Sequence, residues 1–345
     1  MRIDPSSATR NPNSRRGSLT DNFSRRLTYL RLSITDRCNL RCRYCMPQSS
    51  FSWMPSENIL RFEEIYEICR AFCTLGIRKI RLTGGEPLVR RGVVDLIKRL
   101  DSLDGLDEIC ITTNGTLLGD HAEELLNAGI THINISLDTL EPDTYASITG
   151  ADQFDSVWTS IRKVIELGFP KVKINAVVIK GVTDSSIYDL AALSRLYPVD
   201  VRFIEFMPVG DHIPWSPESM IPSDTIREML VKRLGKLEPV ERDSGAGPAM
   251  LYRLEGAPGC IGFISPLSHH FCNTCNRLRV TADGKLRLCL FSDTEIDIKT
   301  PLRQGMKGRE LQEFLATAAS MKPEGYHALG KEQVSCTKRM SSIGG

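Results

Sequence analysis

Thr35-Asp36-Arg37-Cys38-Asn39-Leu40-Arg41-Cys42-Arg43-Tyr44-Cys45-Met46-Pro47 sets three cysteines at a spacing of three and then two residues, directly after a strand predicted at Tyr29–Ile34. An iron–sulfur cube has four irons, and each takes a ligand that is usually a Cys thiolate. This run supplies three. A cube held at three corners leaves one iron open to a small molecule, which suits chemistry at the cluster better than simple electron carriage. Closely spaced cysteines also bind zinc. Zinc sites, however, usually repeat a two-residue spacing and close four ligands locally, and no fourth Cys or His lies near this run.

From Tyr29 onward, short β-branched runs alternate with helical stretches, the pattern of repeated βα units and a parallel sheet. Strands are expected at Tyr29–Ile34, Lys79–Thr83, Glu108–Thr113, His132–Leu137, Lys171–Ile179 and Asp200–Met207. The helices between them are expected at Phe62–Leu75, Gly92–Ser102, Asp120–Ala128, Phe154–Leu167 and Ser185–Leu196. Six such units curve into a partial (β/α) barrel. Side chains alternate faces along a strand, so Arg31, Ser33 and Thr35 share the inward face, as do Lys79, Arg81 and Thr83, then Cys110, Thr112 and Asn114, then His132, Asn134, Ser136 and Asp138, and then Lys171, Lys173 and Asn175. A closed barrel fills its lumen with branched apolar residues. This polar, cationic lumen would bury unpaired charge at high cost, so it reads as a wide cavity for a polyanion. The loops after the strands carry the special residues: the cysteine run, then Gly84-Gly85-Glu86-Pro87, Thr112-Thr113-Asn114-Gly115, Ser136-Leu137-Asp138 and Glu205-Phe206-Met207-Pro208.

A second triplet is formed by Cys272 and Cys275 with Cys289, and Asn276-Arg277-Leu278-Arg279 follows directly on Cys275. His269 and His270 offer a fourth ligand for a zinc ribbon, so from the triplet alone zinc and iron–sulfur stand level. The neighbouring arginines tilt the balance to an open cluster that receives an anion. Composition narrows the classes further. Among 345 residues the formal net charge is only +2, which gives no case for a nucleic-acid stripe or a membrane-seeking face. Eleven cysteines, six of them in the two triplets, point to metal ligation in a reducing compartment rather than to a disulfide scaffold. Cys69, Cys73, Cys110, Cys260 and Cys336 lack partners at metal spacing and are expected as buried or incidental thiols. His121, His212 and His327 stand apart from any cluster. No apolar run is long enough to span a membrane, and the first residues lack the apolar segment of a secretion signal. The start of the chain is rich in Ser, Arg, Asn and Pro and is expected to be disordered. Arg and Ser recur there as in an organellar transit peptide, while Asp4 and the missing apolar face argue against one. The cytoplasm is therefore the expected location, with an organellar matrix as the alternative.

The Cys-x3-Cys-x2-Cys run, with Tyr44 before its last cysteine, resembles the radical S-adenosylmethionine (SAM) superfamily. Adding Cys-x2-Cys-x13-Cys, the Asn-Arg-Leu-Arg run and the ending Ser341-Ser342-Ile343-Gly344-Gly345, the chain from about Phe23 onward resembles the GTP 3′,8-cyclase family of molybdenum cofactor biosynthesis. The resemblance implies a TIM-like radical SAM partial (β/α)6 barrel, closed by a C-terminal region that carries a second iron–sulfur cluster. The expected division is a disordered tail at 1–22, the barrel at 23–225 and the C-terminal region at 226–345. It implies two [4Fe–4S] clusters, one on Cys38, Cys42 and Cys45 and one on Cys272, Cys275 and Cys289. SAM would contact Tyr44, Gly85, Ser136 and Met207. GTP would contact Arg31, Arg81, Thr112, Lys173, Arg277, Leu278 and Arg279, with the guanine at the second cluster. Gly344 and Gly345 would fold back into the active site. The implied reaction is abstraction of the ribose C3′ hydrogen by a 5′-deoxyadenosyl radical, followed by attack on guanine C8. An external electron donor and the downstream cyclic pyranopterin monophosphate synthase are the implied partners. A homodimer is compatible with this reading, and nucleic acid and membrane are not expected. The rival readings are a two-cluster radical SAM enzyme that modifies a peptide, and a non-catalytic zinc or redox protein.

Overall fold

The fold is described from a computed structural model, over residues 17–46, 52–210, 215–241, 247–326 and 336–344. His212, His327 and Gly345 lie outside these residues. Six parallel strands, β1 (Tyr29–Ser33), β2 (Lys79–Thr83), β3 (Glu108–Thr113), β4 (Ile130–Ser136), β5 (Lys171–Val178) and β6 (Val199–Glu205), pair in sequence order. Between them run α1 (Phe62–Leu75), α2 (Val93–Asp101), α3 (Leu118–Asn127), α4 (Pro142–Thr149), α5 (Phe154–Glu166) and α6 (Ile187–Leu196). The helices form because their apolar residues recur at helical spacing. In α1 Ile65, Ile68, Cys69 and Phe72 are fully buried, and in α2 Val93, Leu96, Ile97 and Leu100 play the same part. They pack on the Leu, Ile and Val face of the strands, and the other strand face turns inward.

Most element ends fall within two residues of expectation, and two departures have local reasons. β4 begins at Ile130 because Ile130 is buried and pairs with Ile109, across a register shift between Ile109 and Cys110. Helix α4 was not expected, although Pro142 at its start and Gly150 just past its end are the usual helix boundary residues.

The C-terminal half extends the sheet at both edges. After α7 (Ser223–Leu234) come β7 (Leu237–Pro239), β8 (Met250–Leu254) and β9 (Cys260–Ile264), and β9 lies parallel to β6. Then β10 (Arg277–Val280) returns to the opposite edge and pairs parallel with β1, followed by β11 (Lys285–Arg287) and β12 (Ile296–Asp297). The result is one twelve-stranded sheet, β12-β11-β10-β1-β2-β3-β4-β5-β6-β9-β8-β7. It is not closed by hydrogen bonds. Helices α8 (Lys299–Arg303), α9 (Gly308–Ser320) and α10 (Met340–Ile343) complete the chain.

Two of the expected divisions need correction. A boundary between 225 and 226 cuts through α7, so it is no joint between units. Residues 17–22, assigned to the tail, pack against the rest of the chain. Leu19 is buried, its carbonyl accepts a hydrogen bond from the Leu27 amide at 2.8 Å, and Thr20 bridges to Arg26. The composition of this segment hid its anchor, a buried ion pair between Arg25 and Asp21 at 2.6 Å. The five cysteines expected as buried thiols are all buried.

Candidate active site

The first cysteine triplet occupies the loop that leaves β1. Its turns are fixed by backbone bonds: the Cys45 and Met46 amides both donate to the Cys42 carbonyl, while Arg41 and Arg43 donate to the carbonyls of Thr149 and Ile148 in α4. The Tyr44 hydroxyl donates to Asp138 at 2.5 Å, and the other Asp138 oxygen accepts from the Val177 amide, tying the loop to the ends of β4 and β5. Burial pushes Asp138 up to about 6. Burial and the neighbouring Cys38 push the Cys45 thiol up to about 12, against a hydrogen bond from the Ser341 backbone. A thiol held this way loses its proton readily only when a metal ion displaces it to solvent, because coordination deprotonates it outright.

Beside this loop stands Gly85, where a Cβ would meet the Arg37 carbonyl oxygen at 2.4 Å, so no side chain fits. Glu86 is fully buried and does not line the cavity. It accepts from Leu88, from the Thr113 hydroxyl at 2.8 Å and from the Asn114 amide at 2.6 Å, which locks the β2 loop onto β3. Burial raises it to about 7 despite these bonds.

The loops and the inward strand faces enclose a cavity of about 360 Å³. All six triplet cysteines line it, as do Tyr44, Gly85, Ser136, Met207, Arg31, Arg81, Thr112, Lys173, Arg277 and Arg279. Leu278 does not. Strand alternation between Arg277 and Arg279 sends its side chain into the core, where it is fully buried, so any contact it makes with a ligand is limited to its backbone. Three further cations on the cavity wall were not singled out as site residues in the sequence: Lys79, Arg202 and Lys322. Lys79 shares the inward parity of Arg81 and was legible; Arg202 follows from the same alternation along β6; Lys322 has no sequence signal.

This concentration of charge is felt by its members. Burial, and then the nearby charges of Arg202, Arg81 and Lys79, pull Lys173 down to about 6. Burial likewise pulls Arg279 well below the guanidinium range, with Arg31, Arg277 and Arg287 adding to it. Thr112 Oγ1, Asn134 Oδ1, Asn175 Oδ1 and Arg202 Nε are buried without hydrogen-bond partners among the described residues, and all four residues line the cavity. Each orphan of this kind costs about 1–3 kcal/mol. The wall is thus built for a polar, strongly anionic occupant.

Cys272 begins a 3-10 turn that brings the Cys275 amide to its carbonyl at 3.0 Å. Burial would raise the Cys275 thiol, but the charges of Arg277 and Lys322 outweigh it and hold the group down at about 6. Among the described residues, the one trio of ligand atoms lying within 4.8 Å of one another is that of Glu108, Cys110 and His132 at the foot of the barrel, and Glu108 is ion-paired with Lys79. The sulfurs of neither triplet are drawn together that closely. A tetrahedral zinc with bonds of about 2.3 Å would bring its sulfurs to about 3.8 Å. His269 hydrogen-bonds Asp224 at 2.5 Å on an exposed face, away from zinc ligation. Three thiols of each triplet on one cavity wall, with His269 engaged by Asp224, suit a cube held at three corners.

The last described residues reach the same cavity. Met340 and Ser341 line it, Ile343 is buried with Val209, Phe291 and Cys336, and the Gly344 carbonyl accepts from Arg279 at 2.5 Å and Arg31 at 3.4 Å.

A partial parallel barrel with three cysteines after its first strand defines a radical SAM protein. Residues 32–193 match the Radical SAM superfamily, and residues 199–328 match Molybdenum Cofactor Synthesis C. Over 328 residues the chain is 48% identical to the GTP 3′,8-cyclase of Moorella thermoacetica, covering 95% of this chain and all of that one. Over 327 residues it is 43% identical to the GTP 3′,8-cyclase of Pelotomaculum thermopropionicum, with the same coverage. The chain belongs to the GTP 3′,8-cyclase family. Streptococcus suis SuiB shares the fold, with a TM-score of 0.60 at 15% identity over 87% of this chain and 68% of that one. No helix among the described residues is long and apolar enough to cross a membrane.

Proposed function

We propose that this chain converts GTP to 3′,8-cyclo-7,8-dihydro-GTP, the first step of molybdenum cofactor biosynthesis, using SAM and two [4Fe–4S] clusters. The observation that carries this reading is one cavity lined by both cysteine triplets and by cations from β1, β2, β5, β6 and β10. Cys38, Cys42 and Cys45 hold one cluster, and Cys272, Cys275 and Cys289 the other. When bound, the first cluster supplies the electron that cleaves SAM to a 5′-deoxyadenosyl radical.

The residues of the chain bind and orient. Tyr44, braced by Asp138, fixes the aromatic side of the first loop. Gly85 leaves backbone open to the methionyl end of SAM, Ser136 stands at the end of β4 for the ribose, and Met207 offers its backbone to adenine. Arg31, Arg81 and Lys173 hold the triphosphate, with Thr112 supplying a hydroxyl that has no hydrogen-bond partner among the described residues. Arg277 and Arg279 serve the nucleotide beside the second triplet, to which Leu278 adds its backbone alone. Gly344, held by Arg31 and Arg279, closes the cavity, and the tail role proposed for Gly344 extends to Gly345. An external reductant, a downstream cyclic pyranopterin monophosphate synthase, homodimerisation and a cytoplasmic location complete the proposal.

The test is anaerobic reconstitution followed by incubation with GTP, SAM and dithionite. The expected protein carries about eight irons per chain and yields 5′-deoxyadenosine together with a cyclised nucleotide. A protein loaded with both clusters that forms no cyclised nucleotide refutes the reading.

Lys173 gives the proposal a pH signature. Its ordinary value is lowered to about 6 in the ligand-free cavity, and a bound triphosphate favours the charged form. Below pH 6 the ammonium already exists and binding takes up no proton at this site. Above it, binding must protonate Lys173, so affinity falls as pH rises until the value in the complex is passed. Calorimetry at pH 8 in buffers of different ionisation enthalpy should show uptake of up to about one proton, lost in Lys173→Gln. Equal uptake in both proteins removes Lys173 from the triphosphate site.

A further inference from the structure

Lys322 follows α9 and is 4% exposed, yet it has no carboxylate ion pair among the described residues. Its ammonium donates to the Leu288 carbonyl at 2.5 Å and to the Arg277 carbonyl at 2.9 Å. Leu288 is the residue before Cys289, and Arg277 is two residues after Cys275. The groups that favour its charged form are the thiols of Cys275 and Cys289, against burial and the nearby charges of Arg25 and Arg277. Beside it Arg25, also buried, donates to the carbonyls of Cys272, Pro323 and Glu324, so the backbone directly after Lys322 is pinned beside the second triplet. A buried cation needs a counter-charge, and hydrogen bonds to neutral carbonyls supply none.

We propose that Lys322 is a positioning residue for the second cysteine triplet: it draws the Cys275 and Cys289 segments together through their carbonyls and supplies the buried positive charge that offsets their thiolates. This rests on the reading of that triplet as a cluster site. Charge beside an iron–sulfur cluster sets its reduction potential, and a nearby cation makes reduction easier.

The experiment isolates the second site in the full-length chain carrying Cys38→Ala, Cys42→Ala and Cys45→Ala, reconstituted anaerobically. Iron and sulfide are counted and the midpoint potential is read by potentiometric electron paramagnetic resonance. About four irons per chain are expected in this background; their absence refutes the cluster reading itself, independently of Lys322. Adding Lys322→Gln, which keeps a donor but removes the charge, should lower the midpoint potential and cut retained iron at least twofold. Lys322→Arg should keep both close to the background. Lys322→Met, apolar and of similar length, is a second neutral variant read in the same way, with circular dichroism confirming the fold. A neutral variant that folds and keeps both the potential and the iron of the background overturns the proposal.

Discussion

Gly344→Ala should stop formation of the cyclised nucleotide while both clusters still assemble. Gly344 sits at φ +79°, a left-handed conformation, and an added Cβ would lie 2.4 Å from Thr83 Oγ1 and 3.4 Å from Ser33 Cβ. The conformation alone costs a non-glycine residue about 1–2 kcal/mol, and the contact with the barrel wall adds to it. Since each 1.4 kcal/mol is tenfold in an equilibrium, the docking equilibrium of the tail should weaken by about tenfold or more. No cysteine is replaced, and the tail reaches Cys45 through a Ser341 backbone hydrogen bond and not through a metal bond, so iron content should match the parent and much of the 5′-deoxyadenosine formation should remain. Quantifying both products in parallel decides the matter. Undiminished cyclised nucleotide would show that the docked tail is dispensable, and deletion of the two terminal glycines should reproduce the loss.

The two triplets should fail differently. Changing Cys38, Cys42 or Cys45 to Ala should abolish all SAM cleavage, because the site that binds and reduces SAM is gone. Changing Cys272, Cys275 or Cys289 should leave SAM cleavage measurable and mainly damage GTP binding and turnover. The Cys275 thiol is held near 6 by Arg277 and Lys322, so Cys275→Ala removes the anion that those cations balance. Full GTP turnover by Cys275→Ala would sink the assignment of the second triplet. Loss of every product in both sets alike would mean that the two sites cannot be separated.

What the sequence made legible was local. Strand parity picked out Arg31, Arg81, Thr112 and Lys173 as inward residues, and they line the cavity; the cysteine spacings located both triplets. The same rule, applied to the Asn-Arg-Leu-Arg run, separates Leu278 from its flanking arginines. What stayed hidden depends on partners distant in the chain. Arg25 stands just past the segment that reads as a disordered tail, in no motif, and its role comes from carbonyls at 272, 323 and 324. Lys322 lies past the end of a helix in no motif, and only the fold places it beside Cys275 and Cys289. Glu86 reads as part of a ligand-binding turn, but its carboxylate is used up inside the protein by Thr113 and Asn114.

The pairing of β1 with β10 also bears on how the molecule is made. Asn276 hydrogen-bonds Thr28 across 248 residues of sequence, and Arg31 aligns with Arg279. On the ribosome, β1 is among the first strands to emerge, yet the partner for its outer edge is synthesised near the end. Until then that edge presents unpaired amides and carbonyls, a template for pairing with another chain. Contacts this far apart in sequence also form slowly. A fragment ending before β10 would therefore be prone to aggregate, and expression of the whole chain, with metal loading after release, is the route that the topology favours.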